Sequence, residues 1–378
     1  MRLGEHGKQA SIEQGRSMDD SADSVTPGLE KALVAPDLLL SEGLRRLDDF
    51  GRKVIFVVDA DRRLVGVVTD GDVRRWIIAG KELDRPVSEA MNSTPVVLMR
   101  GHTAEEAREL FALHGIDCIP VLDADRHVVS AVWWVDMLGA KPAQLTPLGI
   151  PLVVMAGGQG SRLAPYTKVL PKPLLPIGEV PIAELIIDRF VRQGCTDVYL
   201  TVNYKANLIK AYFKDVPTDY EVQFVDEPEP LGTAGSLALL DGTITSTFFV
   251  TNCDVLIEAD YADLLAFHRE SGNRLTVVGS LKHFTIPYGV CEIESGGRLI
   301  GMSEKPSYDY IVSTGMYVME PEVLGDIPEG RFFHVTDLID DYMNRGVKVG
   351  VYPISEKSWL DMGQFEELSE MRARLAAE

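Results

Sequence analysis

The residues best suited to chemistry in this chain are two cations that follow a cluster of glycines. Gly157, Gly158 and Gly160 come directly after an apolar run, and Arg162 and Lys172 follow them. Glycine lets backbone amides come close to an anion, because no Cβ obstructs the approach. Acidic residues are absent from this segment and its flanks, although the chain has 57 of them and a net charge of −20. The segment therefore predicts a positively charged site for a nucleoside triphosphate.

Two aspartates are candidate magnesium ligands. Asp254 follows the apolar strand around Phe249, and Asp361 follows a predicted strand over residues 349–352. Magnesium is held by one or two carboxylates together with phosphate oxygens and water, so a pair from separate strands is sufficient. An isolated aspartate after a strand is more often a cap or a turn residue. Asp254 and Asp361 are therefore predicted as metal ligands only in combination with the glycine segment.

The elements that must position these residues alternate along the second half of the chain. From Pro151 onward, apolar strands alternate with helical patterns such as Ile182–Gln193. This alternation predicts an α/β sandwich with a mainly parallel sheet, in which ligands lie at the carboxyl ends of strands. A further helix is predicted to begin at Ser236, after a glycine-rich turn.

The glycine segment PLVVMAGGQGSRLAPYTKVLPKPLLPI resembles the signature of the sugar-1-phosphate nucleotidyltransferases, GGxGxRLxPxTxxxPKPxxPI, at every fixed position. It is neither a P-loop, since no Gly-Lys-Ser/Thr follows, nor a dinucleotide fingerprint, since the third glycine of GxGxxG is missing. The resemblance spans about residues 151–363. It implies a Rossmann-like, mixed-sheet nucleotidyltransferase domain of the GT-A-like kind, and Mg²⁺ as the cofactor.

The resemblance also implies roles for individual residues. Arg162 would neutralise the β- and γ-phosphates, Lys172 and Lys305 would hold the sugar phosphate, and Asp254 and Asp361 would bind magnesium. The implied nucleotide-binding residues are Ala156, Gly157, Gly158, Gly160, Ser161, Arg162, Glu227, Leu231, Gly232 and Thr233. The implied sugar-phosphate residues are Lys172, Tyr288, Gly289, Glu304, Lys305 and Ser313.

The base and the sugar are less constrained than the reaction. The loop EPEPLGTAG resembles the base-recognition loop of the family, and its combination with the amino-terminal half resembles guanylyltransferases that act on mannose, glucosamine or heptose 1-phosphates. We therefore expect GTP, with UTP or CTP as alternatives. Ser313-Thr314-Gly315 departs from the Asn-x-Gly usual at that point, which leaves the sugar open.

An internal repeat precedes the glycine segment. VVDADRRLVGVVTDGD from Val57 and VLDADRHVVSAVWWVD from Val121 align at a shift of 64 residues, each as a strand, an Asp-rich turn and a strand. Helical patterns precede both copies, the second with Thr103 as N-cap and Glu106 three residues later. Neither unit can bury its sheet alone, so we expect the two to pack together.

The repeat resembles a tandem of βαβ-type CBS motifs, which commonly bind adenine nucleotides as regulatory ligands. The Thr-x-x-Asp of that motif is present in the first copy as Thr69 and Asp72, whereas Trp133 replaces the threonine of the second copy and only Asp136 remains. The resemblance implies an adenine or guanine nucleotide site at Thr69, Asp72 and Asp136. A module that only packs or dimerises is an equal alternative.

Length and composition set the remaining expectations. We predict a disordered segment over residues 1–26, a tandem CBS domain over 27–138, a linker over 139–150 and a catalytic domain over 151–378. Four scattered cysteines and the lack of a leader or an apolar span favour a reducing cytoplasm. The acidic charge disfavours nucleic acids and anionic membranes as partners.

Two other functions and an assembly state accompany the enzyme hypothesis. A catalytically silent sensor of nucleotide-sugars is the rival from another class, although it has no need to keep the metal carboxylates. The CBS pair is alternatively an allosteric brake on an active enzyme. Tandem CBS modules often pair face to face, so a homo-oligomer is expected by analogy.

Overall fold

The computed structural model describes residues 26–138, 147–218 and 220–363 of the 378-residue chain. The predicted disordered segment lies outside the described residues except for its last position. The predicted linker also lies outside them as far as residue 146. Its last residues are bound to the second half of the chain, where the Leu148 amide donates to the Gln193 carbonyl at 2.9 Å.

The amino-terminal unit, residues 26–138, consists of two similar three-stranded sheets with flanking helices. Strands β1, β2 and β3 form the first sheet and β4, β5 and β6 the second. The elements are α1 (Leu29–Ala32), β1 (Leu33–Val34), α2 (Leu40–Phe50), β2 (Val54–Val58), β3 (Leu64–Thr69), α3 (Asp70–Ile78), β4 (Leu98–Met99), α4 (Ala104–His114), β5 (Cys118–Leu122), β6 (Val128–Trp133) and α5 (Trp134–Leu138), with a 3-10 turn at Val87–Glu89.

The two copies of the repeat adopt the same turn. Oδ1 of Asp59 accepts hydrogen bonds from the amides of Asp61 and Arg63. In the second copy, Oδ1 of Asp123 accepts from the amides of Asp125 and His127, at the same spacing. The copies share one core, in which Phe56 of the first packs with Leu122 of the second. The expectation that the units bury their sheets against each other is confirmed.

The carboxy-terminal unit, residues 147–363, alternates strands and helices as the sequence predicts. Its 3-10 turns lie at Ser161–Leu163, Lys172–Leu174, Ser236–Leu240 and Glu356–Ser358. The regular elements are β7 (Leu152–Met155), α6 (Tyr166–Val169), β8 (Pro176–Ile177), β9 (Val180–Pro181), α7 (Ile182–Arg192), β10 (Asp197–Val202), α8 (Ala206–Asp215), β11 (Glu221–Asp226), α9 (Gly232–Gly235), β12 (Phe248–Asn252), β13 (Val255–Ile257), α10 (Tyr261–Ser271), β14 (Leu275–Thr285), β15 (Gly289–Ile293), β16 (Leu299–Glu304), β17 (Ser307–Met319), α11 (Glu322–Asp326), α12 (Val335–Arg345), β18 (Val349–Ile354) and β19 (Trp359–Asp361).

Seven of these strands form a central mixed sheet in the order β11-β10-β7-β12-β17-β14-β18. The pairs β11–β10, β10–β7, β7–β12 and β14–β18 are parallel, and β17 is antiparallel to both of its neighbours. Apolar cores cover both faces, because β7 and β12 are buried throughout their apolar runs. The α/β class with a mixed sheet is confirmed, whereas the predicted helix from Ser236 is a 3-10 segment preceded by the short helix α9.

The carboxyl ends of β7, β10 and β12 meet at one edge of this sheet. Two pairings align Val154 with Leu200 and Thr251, so the loops that follow these strands start side by side. A second feature of this side is the pair β14 and β17, which continues past the sheet and ends in the hairpin β15–β16. These loops and the hairpin contain most of the predicted site residues.

Candidate active site

The glycine loop leaves β7 at the sheet edge and folds over its neighbours with no room for a side chain at Gly157 and Gly160. A Cβ on Gly157 would collide with the carboxylate of Glu227, and a Cβ on Gly160 would lie 2.9 Å from Cγ2 of Thr167 and 3.0 Å from Cβ of Lys172. Gly160 also has a left-handed φ of 63°, which a glycine adopts without strain. The loop therefore needs glycine at both positions, and it lies directly against Lys172.

Arg162 and Lys172 lie in different environments. Arg162 is exposed on the 3-10 turn Ser161–Leu163, directly after Gly160. Lys172 is largely buried and its Nζ contacts Oδ2 of Asp254. Burial works to lower the pKa of Lys172, but the nearby charges of Asp254 and Asp361 outweigh it and raise the pKa. Lys172 is thus fixed as a cation inside the pocket.

The two candidate metal ligands are held together by a two-stranded sheet. Strand β13, which follows Asp254, is antiparallel to β19, and Val255 pairs with Asp361. The amide of Met362 donates to the carbonyl of Asp254 at 2.9 Å, which locks the two segments in register. Two carboxylates supply hard oxygen donors of the kind that Mg²⁺ prefers, so the residues present fit this cofactor.

A buried carboxylate lies at the predicted base-recognition loop. Glu227 is only 8% exposed and its Oε2 accepts a hydrogen bond from the Leu231 amide at 3.3 Å. Desolvation by burial raises the pKa of Glu227 above its usual value. The helix α9 that follows is fixed by the Phe333 carbonyl, which accepts from the amides of Ala234 and Gly235 at 3.0 and 3.1 Å. The loop is thus held by hydrogen bonds at α9, and the Glu227 carboxylate lies at its buried end as an acceptor.

The predicted sugar-phosphate residues lie where the hairpin β15–β16 leaves the long strand pair. Gly289 pairs with Glu304, and the amide of Lys305 donates to the Tyr288 carbonyl at 3.3 Å. Tyr288, Glu304 and Lys305 are exposed. Ser313 lies further along β17, where its hydroxyl is 3.3 Å from the Tyr317 hydroxyl. The base of the hairpin thus groups Tyr288, Gly289, Glu304 and Lys305. Ser313 lies apart from this group along β17.

A sequence profile for the nucleotidyl transferase family matches residues 152–378, and a profile for the CBS domain matches residues 31–79 and 87–132. The chain belongs to the nucleotidyl transferase family. It carries a tandem of CBS domains ahead of the nucleotidyl transferase domain, as the sequence predicts.

Individual relatives of the chain differ in the base they are named for. A mannose-1-phosphate guanyltransferase of Schizosaccharomyces pombe is 33% identical over 221 residues, which are 56% of this chain and 60% of the relative. A UTP–glucose-1-phosphate uridylyltransferase of Synechocystis is 29% identical over 234 residues, with the same coverage. The crystal structure of HddC from Yersinia pseudotuberculosis matches at 25% identity and a TM-score of 0.48, covering 60% of this chain and 99% of that one. The chain spans about 60% of the length of these curated relatives.

Two of the three predicted regulatory residues, Thr69 and Asp72, lie at the start of helix α3, and Asp136 lies in α5. Thr69 and Asp72 form a capping box, in which the Asp72 carboxylate accepts from the Thr69 amide at 2.9 Å. Asp72 also pairs with Arg75 at 2.6 Å. Asp136 of the second copy pairs with Arg52 at 3.0 Å. These contacts fix the three residues without showing a ligand.

Some residues around the site of the nucleotidyl transferase were not identified from the sequence. Asn203, Tyr204 and Lys205 follow β10, and the Tyr204 amide donates to the Gly157 carbonyl at 3.3 Å. His334 lies 3.2 Å from the Thr233 hydroxyl of the base loop. The first three could have been found because they follow a strand at its carboxyl end. His334 carried no such signal, since it is distant in sequence.

Among the described residues, no helix is both long enough and apolar enough to cross a membrane.

Proposed function

We propose that this enzyme transfers GMP from GTP to a sugar 1-phosphate such as glucosamine or mannose 1-phosphate, giving a nucleotide-sugar and pyrophosphate. The product would serve cell-surface glycan or nonulosonic acid biosynthesis. The observation that supports this reaction best is the group formed by Lys172, Asp254 and Asp361 beside the glycine loop. The group combines a fixed cation with a pair of carboxylates suited to a divalent metal.

The proposed reaction needs no protein nucleophile. An oxygen of the sugar phosphate attacks the α-phosphorus in line, a new P–O bond forms, and the bond to the β-phosphate oxygen breaks. Arg162 stabilises the charge that builds on the departing pyrophosphate, and Lys172 holds the incoming sugar phosphate together with Lys305. Asp254 and Asp361 would hold magnesium, which would supply positive charge to the reacting phosphates.

Glu227 supports guanine as the base. A buried carboxylate accepts hydrogen bonds and donates none, and it is matched by the adjacent N1–H and N2–H₂ donors of guanine. Uracil offers one N3–H between two carbonyl oxygens, which a carboxylate repels, and cytosine places an acceptor beside its amino group. A bidentate pair of this kind discriminates between bases by about 1–3 kcal/mol. The alternatives are therefore a UTP- or CTP-dependent transferase in which Glu227 does not face the base.

The test is pyrophosphate release with magnesium for the four nucleoside triphosphates, each combined with mannose, glucose, glucosamine and heptose 1-phosphates. We expect one productive GTP pair, which Asp254→Asn abolishes and Asp241→Asn leaves intact, since Asp241 is an exposed residue away from the site. Equal turnover with UTP would refute the guanylyl assignment. Nucleotide binding without turnover in any combination would favour the silent sensor.

The CBS tandem is proposed to hold an adenine or guanine nucleotide that regulates turnover. Its support is the Thr69–Asp72 pair at the amino terminus of α3, where backbone amides and the helix dipole favour an anion. A homo-oligomer formed through the CBS domains remains part of this proposal. Titration of the rate with AMP, ADP, ATP, GMP and GTP tests the regulation, and light scattering tests the assembly.

A further inference from the structure

The CBS tandem packs directly against the domain that contains the proposed metal ligands. Helix α3 of the first repeat covers β18, the last strand of the seven-stranded sheet. The contact is apolar at its centre, because Leu281 of β14 belongs to the same buried cluster as Leu44 and Val73 of the CBS domain. An edge strand that would otherwise be open is thus closed by a helix of the other domain.

Arg74 connects the two domains through several bonds at once. Its side chain is only 16% exposed, and its Nε donates to the Pro353 carbonyl of β18 at 3.2 Å. Its Nη1 pairs with Asp263 of α10 at 2.9 Å, and its Nη2 pairs with Asp70 of its own helix at 2.6 Å. The guanidinium lies 4.8 Å from the ring centre of Tyr352, whose hydroxyl donates to Asp263 at 2.5 Å. A planar fork with several fixed partners is a geometry that lysine cannot reproduce.

The strand that Arg74 holds leads within a few residues to a proposed metal ligand. After β18 the chain makes the turn Glu356–Ser358 and enters β19, which ends at Asp361. The turn is also attached to the CBS domain, because Nζ of Lys357 donates to the Asp48 carbonyl of α2. The segment from Pro353 to Asp361 is therefore bound to the CBS domain before and within its turn.

We propose that Arg74 is a positioning residue for Asp361, acting through β18 and the turn that follows it. This inference rests on the proposed metal role of Asp361. Helix α3 begins at Thr69 and Asp72 and contains Arg74, so a ligand at its amino terminus acts on the same rigid element that holds β18. The CBS tandem thereby helps to set the position of the Asp361 carboxylate.

The test measures Mn²⁺ binding to the full-length protein by electron paramagnetic resonance, in the absence of substrates. We expect Arg74→Ala to weaken Mn²⁺ binding roughly 2- to 30-fold and to raise the Mg²⁺ concentration needed for half-maximal rate by a similar factor. The Mn²⁺ affinity of Arg74→Lys should fall between those of the wild type and Arg74→Ala. Lysine keeps the ion pair with Asp263 but loses the planar guanidinium that bonds several partners at once. Arg85→Ala is the matched control, since Arg85 lies in the CBS tandem and pairs with Glu89 on an exposed surface.

The outcomes separate this inference from the proposed function. Asp361→Asn should lose most Mn²⁺ binding, and if it binds Mn²⁺ like the wild type, the metal role fails and the coupling fails with it. Loss in Asp361→Asn with unchanged affinity in Arg74→Ala would overturn the coupling alone. If Arg74→Ala lowers the melting temperature, Lys357→Met provides the second variant, because it removes the contact of the turn with the Asp48 carbonyl and leaves Arg74 in place. Wild-type Mn²⁺ affinity in Lys357→Met would then overturn the inference.

Discussion

The proposed base specificity depends on one buried carboxylate and the glycine beside it. The carboxylate of Glu227 occupies the space that a Cβ of Gly157 would take, so the absence of a side chain at Gly157 gives it its place. Its backbone is also fixed, since the Asn203 side chain donates to the Glu227 carbonyl at 2.9 Å. A rigid acceptor discriminates between bases more strongly than a mobile one, because a wrong base cannot be accommodated by rotation.

Replacing Glu227 by glutamine should change the preferred base. Glutamine offers one donor and one acceptor, which fit the carbonyl and N3–H of uracil better than the two donors of guanine. We expect the ratio of kcat/KM for GTP to that for UTP to fall roughly 5- to 150-fold. The measurement is pyrophosphate release with each nucleotide, with Glu229→Gln as a control because Glu229 is exposed in the same loop. An unchanged ratio would show that Glu227 does not face the base.

Lys172 should affect catalysis and metal binding in opposite directions. Lys172→Met removes the proposed contact to the sugar phosphate, so we expect kcat/KM to fall about 10²-fold or more. The same change removes a positive charge from Asp254, so Mn²⁺ should bind at least as tightly as in the wild type. Lys168→Met is the control, since Lys168 is exposed in the same segment. Loss of Mn²⁺ binding would mean instead that Lys172 is needed to orient Asp254.

At the scale of elements, short pairings determine where the chemistry lies. Strands β13 and β19 have three residues each, yet their pairing brings Asp254 and Asp361 together across more than a hundred residues of sequence. A single side-chain hydrogen bond likewise joins two distant elements, because Lys357 of the turn Glu356–Ser358 donates to the Asp48 carbonyl of α2. Such small elements are stable only because the surrounding cores hold them.

The contact between the two domains should depend on pH through Asp48. Burial raises the pKa of Asp48 from 3.8 to about 6, with Asp70 and Glu356 acting in the same direction and His283 and Lys357 opposing. The folded protein therefore binds the proton more tightly than the unfolded chain, so the contribution of this group to stability declines as the pH rises from about 4 through 6.

Asp48→Asn should remove this dependence. Without a carboxylate to desolvate, the variant should melt at a higher temperature than the wild type at pH 7.5, with a smaller difference at pH 5. Differential scanning calorimetry at the two pH values measures the effect. Asp49→Asn is the matched control, because Asp49 is the exposed neighbour on the same helix. An equal shift in both variants would indicate a general charge effect instead of burial at the contact.

At the scale of the whole molecule, the two domains form one continuous structure. The first CBS repeat shares a buried cluster with β14 of the nucleotidyl transferase domain, and ion pairs such as Arg45–Asp309 at 3.8 Å surround it. A ligand at the CBS tandem would therefore act on a domain that is already packed against β14 and β18 of the central sheet. Regulation would require only a small shift of α3, because close-packed elements transmit displacement.

The proposed regulation should depend on Asp72. We expect Asp72→Ala to abolish the effect of an adenine or guanine nucleotide on the rate while leaving unregulated turnover intact. The change also removes a helix cap, which costs about 1 kcal/mol. Glu106→Ala is the matched control, because it breaks the equivalent capping box with Thr103 in the second repeat. Regulation that survives in Asp72→Ala, or that is lost equally in both variants, would contradict a ligand role for Asp72.

The sequence by itself determined the class of fold, the repeat and the family. Contiguous patterns contain this information, as in the segment around Gly157 and in the Asp-rich turns at Asp59 and Asp123. The helix predicted from Ser236 was wrong in type, because the turn ahead of it is itself helical and is fixed by the distant Phe333.

Only the tertiary structure decided which distant residues meet. The contacts of Glu227 with the glycine loop, of His334 with Thr233, and of Arg74 with β18 join positions separated by tens to hundreds of residues. Local propensity and periodicity record what each segment forms but not what it packs against. The packing partners are set by closure of the sheet and burial of the shared cores. For that reason the connection from the CBS tandem to Asp361 is visible in the fold and not in the sequence.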